Sequence, residues 1–172
     1  MKTITKQQLI DWRACDEGLQ KFIKQTNNTD DPVSIVSLIG GENKIDDIGW
    51  LARELGLTNQ LRWFALKCAR LVEHLSTEAK ECNDASERYL IDKSDKNREV
   101  LHDARHNAIA TYSFSADSAA SAATCCKGYI GAYISCADAA WNANYVVADV
   151  SIACADKCLK PKINELLKEV FA

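Results

Sequence analysis

Apolar residues recur at intervals of three and four along most of this chain, the spacing that places them on one face of an α-helix. The first run follows Thr5 and Gln8, a pair with the spacing of a capping box at a helix N-terminus. Its apolar positions are Leu9, Trp12, Cys15, Leu19, Phe22 and Ile23. The pattern predicts one helix after Thr5, which ends in the turn-forming residues 26–32.

The same pattern assigns further segments of the N-terminal half. The apolar run 33–41 fits a strand or a short buried helix, and because no partner strand is indicated, a short helix is predicted. A helix over 44–56 is predicted to end at Gly56, and Thr58 is predicted to cap the next helix. The apolar face of that next helix is Leu61, Phe64, Ala65, Cys68, Leu71, Val72 and Leu75. A charged helical stretch then precedes a predicted loop at 93–97.

Small residues characterise the C-terminal half. Sixteen residues between 104 and 158 are Ala, and many others are Ser, Thr or Cys. The helical stripe continues through Ile109, Tyr112, Ala116, Ala119, Ala123, Ile130, Ile134, Ala137, Trp141, Tyr145, Ala148, Ile152, Ala155 and Leu159. Ala stripes let helices approach closely, and Pro161 suits the first turn of a last helix. The sequence therefore predicts an all-α fold: one domain, 1–172, forming a compact multi-helix bundle with an Ala/Ser/Cys-rich C-terminal half.

Composition is typical of one globular domain, with 172 residues of which 47% are apolar and 26% charged. The formal net charge is −3, and no segment is basic enough to indicate nucleic-acid binding. The uncharged runs are much shorter than the roughly 20 apolar residues of a membrane span. The start, "MKTITKQQLIDW", lacks the apolar core of a signal peptide, so a cytoplasmic location is expected.

The eight cysteines are interpreted as free, mostly buried thiols that act as small apolar side chains. Cys154 and Cys158 lie four apart in a helical pattern, so their Cβ atoms are roughly 5–6 Å apart. A disulfide needs about 3.5–4.5 Å between these atoms. Cys125 and Cys126 have no adjacent base, and neither G-x-S-x-G nor a P-loop occurs, so no catalytic residue is predicted.

His102 and His106 also lie four apart and can share one helix face, as the zinc ligands of H-E-x-x-H do. Asp103 stands where that motif has Glu, and the spacing identifies no third ligand. A second pair, Cys154 with Cys158, could complete a tetrahedral Cys2His2 site if its helix faced the first. The favoured interpretation is two solvated histidines and two packed thiols, so neither a metal nor another cofactor is predicted.

Three acidic residues form the candidate partner-binding site. Asp138, Asp149 and Asp156 follow one another at intervals of eleven and seven, which on one continuous helix return to within about 20° of the same direction. Each follows a core Ala, so the carboxylates would border the packed stripe as an acidic line. An ordinary solvated face is the simpler interpretation, and a binding edge for a basic protein surface is the alternative.

The order of these features resembles the immunity proteins of bacterial polymorphic toxin systems, which phages and other mobile elements also encode. The resemblance runs from "RACDEGLQKFI" through "DDIGWLARELGLTNQLRWFALKCARLVEHL" to the Ala-rich tail, or about Trp12 to Phe171. This chain departs from the group in having Ser and Cys where Ala is usual, and no Pro in the 80–100 connection. The resemblance implies an all-α, non-catalytic protein that binds another protein, and it transfers no catalytic residue.

The sequence thus predicts a non-catalytic, protein-binding inhibitor. It would be either an immunity protein against a toxin or a phage-encoded antagonist of a host defence system, such as an anti-CRISPR-like protein. A small metal- or thiol-dependent enzyme and a self-assembling structural module are the alternatives. Homo-oligomerisation is left open, and neither nucleic acid nor a membrane is expected as a direct partner.

Overall fold

The computed structural model of the protein describes residues 2–71, 73, 77–110 and 152–172, with only the backbone for 45–46, 109 and 152–160. Over these ranges the chain forms eight helices and one small sheet, which confirms the prediction of an all-α bundle. The helices are α1 (Lys6–Asp11), α2 (Asp16–Gln25), α3 (Ile35–Leu38), α4 (Ile45–Glu54), α5 (Thr58–Arg70), α6 (Thr77–Ile91), α7 (Asp95–Ala110) and α8 (Ile152–Phe171). Among these helices, none combines the length and the apolarity that crossing a bilayer requires.

The sheet consists of β1 (Thr3–Ile4) and β2 (Val33–Ser34), which pair antiparallel with Thr3 opposite Ser34. The run 33–41 therefore begins as a strand and becomes helical only at α3, where the Ser34 hydroxyl accepts a hydrogen bond from the Val36 N–H. The prediction of a helix alone was incomplete. A partner strand of two residues is too short to produce an alternating pattern in the sequence.

The first predicted helix is divided in two. Its capping box is confirmed: the Gln8 N–H donates to the Thr5 hydroxyl (3.2 Å), and the Thr5 N–H donates to the Gln8 side chain (2.9 Å). The helix then ends at Asp11, because Arg13 adopts φ +57° and the Ala14 N–H bonds back to the Leu9 carbonyl (2.9 Å). This backbone turn terminates a helix without a glycine, so the residue pattern contains no signal of it.

Cys15 then begins α2 rather than extending an apolar face. Its sulfur accepts a hydrogen bond from the Gly18 N–H (3.4 Å) in the place of a side-chain oxygen. Phe22, on the same helix, is buried as the pattern predicted.

The predicted end of α4 is confirmed at Gly56, which adopts φ +74° and donates its N–H to the Arg53 carbonyl. Thr58 does not cap α5 but is its first residue, after Leu57. Leu61, Phe64, Ala65 and Cys68 are buried as predicted, and Leu71 is half-buried. Val72 and Leu75 lie outside the described residues.

Two apolar clusters share helix α5. The first lies among the sheet, α1–α5 and α8, and its buried members are Ile4, Leu9, Phe22, Ile35, Leu38, Ile39, Ile48, Leu51, Ala52, Leu57, Leu61, Phe64, Ala65, Cys68, Ile163, Leu167 and Phe171. The second lies among α5–α7 and contains Leu66, Ala79, Cys82, Ala85, Leu90, Leu101 and Ala108. Because α5 contributes side chains to both, it joins the N-terminal helices to the α6–α7 hairpin.

Two boundaries in the C-terminal part differ from the prediction. Residues 92–94 connect α6 to α7, a shorter loop than the predicted 93–97. Helix α8 runs without interruption from Ile152 to Phe171, so Pro161 lies inside it and does not begin a new helix. An interior proline removes one N–H···O=C bond and bends a helix, but here helical residues continue on both sides of it.

Candidate functional site

The predicted acidic line cannot be traced. Asp138 and Asp149 lie outside the described residues, and Asp156 belongs to α8 where only the backbone is described. The same holds for the side chains of Cys154 and Cys158. The acidic line therefore stays a prediction, and the Cys2His2 site stays an untested alternative to the prediction of no metal.

His102 and His106 are both exposed on α7, with ring centroids 4.6 Å apart in an edge-to-face arrangement. The nearest charged partner is Asp103, whose Oδ1 lies 3.6 Å from His102 Nδ1. Within the described ranges, no three or more His, Cys, Asp or Glu side chains converge as metal ligands would. The two histidines therefore lie together, as their spacing predicted, but the described residues do not join them to a further ligand.

The α6–α7 hairpin carries the most exposed large apolar side chain of the described residues. Ile91, at the end of α6, is 72% exposed, and Val100 on α7 is 39% exposed. Charged residues surround them in sequence: the hairpin, 77–110, contains eight acidic and six basic residues. The hairpin thus exposes isolated apolar side chains on two charged helices with a small excess of acidic residues.

A salt-bridge network links this hairpin to α5. The Arg70 guanidinium pairs with Glu73 (2.8 Å), Asp84 (3.1 Å) and Glu87 (2.5 Å). Lys80 also pairs with Asp84 at 2.7 Å. The hydrogen bond from Lys80 lowers the pKa of the Asp84 carboxyl, burial opposes this shift, and the hydrogen bond from Arg70 adds to it. The network fixes the orientation of α6 against α5.

Below this network, Asn83 is fully buried on α6. Its side-chain N–H donates to Glu73 Oε2 (3.2 Å), while its side-chain oxygen is buried without a hydrogen-bond partner. Ser86, one turn along, donates its hydroxyl to the Cys82 carbonyl (2.8 Å). Asn83 is therefore a buried polar group that only one hydrogen bond compensates.

We expect the stability of the protein to fall at acid pH, in part through Asp84. Because the folded state lowers the pKa of this carboxyl, its contribution is complete above its unfolded pKa of about 3.9 and is lost as pH falls through the folded value. The side chain is 33% exposed, so solvent screening limits the contribution to under about 1 kcal/mol. Urea unfolding at pH 7 and pH 3 should show a smaller pH effect for Asp84→Asn than for the wild type. An equal pH effect in both proteins would contradict this assignment.

A second feature is a pocket of about 320 Å³ at the edge of the first apolar cluster, between α1, α2, α3 and α4. Its apolar wall consists of Leu9, Ala14, Phe22, Leu38, Ile48, Trp50 and Leu51. Four polar residues also line it, Arg13, Cys15, Asn43 and Asp47, together with Gly18. Small-molecule sites have this constitution, an apolar cavity with a few convergent polar groups.

The first turns of α2 and α4 meet at the pocket and supply polar groups to it. Asp47, in the first turn of α4, accepts a hydrogen bond from the Lys44 N–H (2.8 Å) and one from the Lys21 ammonium (3.3 Å), both on Oδ2. The Lys21 ammonium also pairs with the Glu17 carboxylate at 2.6 Å. The hydrogen bond from Lys21 to Glu17 raises the pKa of the ammonium. A Cβ atom on Gly18 would lie 3.3 Å from Cys15 Sγ and 3.8 Å from Asp47 Oδ1. The missing side chain therefore keeps the approach to Asp47 Oδ1 open.

Sequence analysis missed this pocket. Its polar residues come from three separate segments, and none belongs to a recognisable motif. The only signal was the glycine in "CDEG", because Gly in the first turn of a helix indicates a close approach or a need for space.

Comparison with known proteins gives no relative to set beside these features. No protein-family model, curated protein or solved structure matches the chain.

Proposed function

We propose that this protein is a non-catalytic inhibitor that acts by binding another protein, and that the α6–α7 hairpin is part of the contact. The partner is either a toxin, which would make the chain an immunity protein, or a host defence protein that a phage antagonises. The resemblance of the sequence to toxin-immunity proteins supports this class of function. The observation that carries the proposal is the 72% exposure of Ile91 on an acidic hairpin.

An exposed isoleucine bordered by charged residues resembles the apolar centre and the polar rim of a protein–protein interface. Complete burial of such a side chain contributes about 1.5–3 kcal/mol, which makes Ile91 a suitable anchor. The small acidic excess of the hairpin, eight acidic against six basic residues in 77–110, favours a partner with a basic surface. Complementary charges of this kind act more on the association rate than on the final affinity. The acidic line of Asp138, Asp149 and Asp156 would extend the same preference.

The first experiment replaces Ile91. Ile91→Asp should weaken binding to a partner recovered from the host cell by about tenfold or more, since it removes an apolar contact and adds a charge at the contact centre. Ile10→Asp is the matched control, because Ile10 is also exposed (47%) but lies on α1, away from the hairpin. Binding kinetics of wild type and both variants at two salt concentrations give the measurement.

Loss of affinity in Ile91→Asp alone, with an association rate that falls as salt rises, would support the proposal. Equal binding by both variants would exclude the hairpin from the contact. If the recovered partner is a second copy of this chain, the self-assembling module replaces the inhibitor as the favoured function. The genes adjacent to this one, toxin or phage, separate the two versions of the inhibitor.

A further inference from the structure

We infer that the pocket between α1, α2, α3 and α4 binds a free α-amino acid with a large apolar side chain. The inference goes beyond the proposed function and does not depend on it, because the pocket and the α6–α7 hairpin are built from different helices. It rests on the coincidence of an apolar wall, an available carboxylate oxygen and an available guanidinium in one small cavity.

The available carboxylate oxygen belongs to Asp47. Both of its hydrogen bonds, from the Lys44 N–H and the Lys21 ammonium, go to Oδ2. Oδ1 faces Gly18, where the absence of a side chain leaves it accessible from the pocket. An ammonium group placed beside Gly18 would therefore find an acceptor that is half-buried and held in place by α4.

The available guanidinium belongs to Arg13, which also lines the pocket. Among the described residues, no carboxylate lies within 4.0 Å of it, although most other basic side chains of the N-terminal helices are paired. Cys15, two residues further along the chain, also lines the pocket and lies beside Gly18 and Asp47. A cation and an anion with unused hydrogen-bonding capacity thus line the same pocket.

The remainder of the wall is apolar, and the volume limits the ligand. A cavity of about 320 Å³ is at the lower limit of the roughly 300–1,000 Å³ of small-ligand sites. This favours a small ligand, of the size of leucine, isoleucine, methionine or phenylalanine. Phe22, Trp50 and Leu51 would contact the side chain of such a ligand.

A zwitterion satisfies this arrangement better than a ligand with a single charge. A simple carboxylic acid would pair with Arg13 but leave its apolar part against the Asp47 carboxylate. A simple amine would pair with Asp47 but leave its apolar part against the Arg13 guanidinium. An α-amino acid carries both charges on atoms bonded to one carbon, so a single small ligand can pair with Asp47 and with Arg13 while its side chain contacts the apolar wall.

The test uses the purified full-length chain and isothermal titration calorimetry with L-leucine and L-phenylalanine. Two analogues test the charges separately on the wild type: L-leucinamide lacks the carboxylate, and N-acetyl-L-leucine lacks the ammonium. Each should bind about tenfold more weakly than L-leucine or not at all, because each leaves one charged group of the pocket without its partner. L-serine, which has no apolar side chain, should not bind.

Variants then assign the two charges to residues. Asp47→Asn keeps an acceptor for the Lys44 N–H but removes the charge, and Arg13→Gln removes the guanidinium. Each should weaken L-leucine binding about tenfold or more. Glu42→Gln and Lys24→Gln are the matched controls: these two side chains pair with each other at 3.0 Å, and neither lines the pocket. The controls should bind L-leucine as the wild type does.

Binding of L-leucine or L-phenylalanine with these losses would establish the site. No heat of binding for either amino acid at millimolar concentration would overturn the inference. So would equal binding of L-leucine and both analogues, a result that does not require any variant to fold. Because no protein partner is present in these titrations, their outcome is separate from that of the Ile91 experiment.

Discussion

Phe22→Ala should lower the free energy of unfolding by about 3–5 kcal/mol. Phe22, on α2, is 2% exposed and lies in the first apolar cluster, where its ring packs against the neighbouring helices. Truncation to Ala removes the buried ring and leaves a space that the surrounding helices fill only in part. The same ring forms part of the pocket wall, so the substitution should also abolish binding of an apolar amino acid.

Urea unfolding, followed by circular dichroism, gives the measurement. Ile10→Ala is the control, because Ile10 is 47% exposed and loses little contact on truncation. Its free energy of unfolding should change by less than about 0.5 kcal/mol. A loss of less than about 1 kcal/mol in Phe22→Ala would show that this ring is not part of a close-packed core.

Asn83→Asp should lower the free energy of unfolding at pH 7 by about 3–5 kcal/mol, the cost of an uncompensated buried charge. Asn83 is fully buried, and its side-chain N–H donates to the Glu73 carboxylate. The substitution replaces that donor by a second carboxylate of the same size and places two negative charges side by side. Arg70, which already pairs with Glu73, Asp84 and Glu87, has little capacity to neutralise another.

The effect of Asn83→Asp should depend on pH. Burial and the neighbouring Glu73 would raise the pKa of the new carboxyl above its unfolded value, so its cost is greatest at neutral pH and decreases as pH falls. Asn83→Leu is the control, since it removes the buried oxygen without adding a charge: its larger volume should cost about 1–3 kcal/mol, and that cost should not change with pH. Unfolding of both variants and the wild type at pH 7 and pH 4.5 measures the difference. A constant deficit at the two values would show that folding does not raise the pKa of the introduced carboxyl, so that it is ionised in both states.

The helical class of the fold could be predicted because helix formation leaves a local signal. Residues three and four apart share a face, so the burial of Leu61, Phe64, Ala65 and Cys68 is visible as a repeat within one segment. Caps are equally local: the Thr5–Gln8 box and the end at Gly56 each involve residues within one or two turns. These features were correct in the sequence analysis because the interacting groups are close in the chain.

The errors concern interactions that the local pattern does not contain. The periodic run through Trp12 and Cys15 is divided because Arg13 adopts a left-handed backbone conformation. A glycine would have indicated such a conformation in the sequence, whereas an arginine does not. Strand β2 forms only because residues 3–4 supply a partner thirty positions earlier. Pro161 looked like a helix start because the sequence shows the missing N–H but not the packing of Ile163, Leu167 and Phe171 on the core.

The sequence by itself determined the helical segments, their apolar faces and the absence of a known catalytic motif. Tertiary structure alone decided which polar groups meet and which apolar residues stay exposed. Asp47, Gly18 and Arg13 line one pocket only because the starts of α2 and α4 pack together with the turn after α1. Ile91 directly follows the buried Leu90 in α6, but the part of the chain that the structure describes leaves Ile91 largely uncovered. Periodicity reports which face a residue occupies, whereas a site depends on contacts between segments distant in the chain.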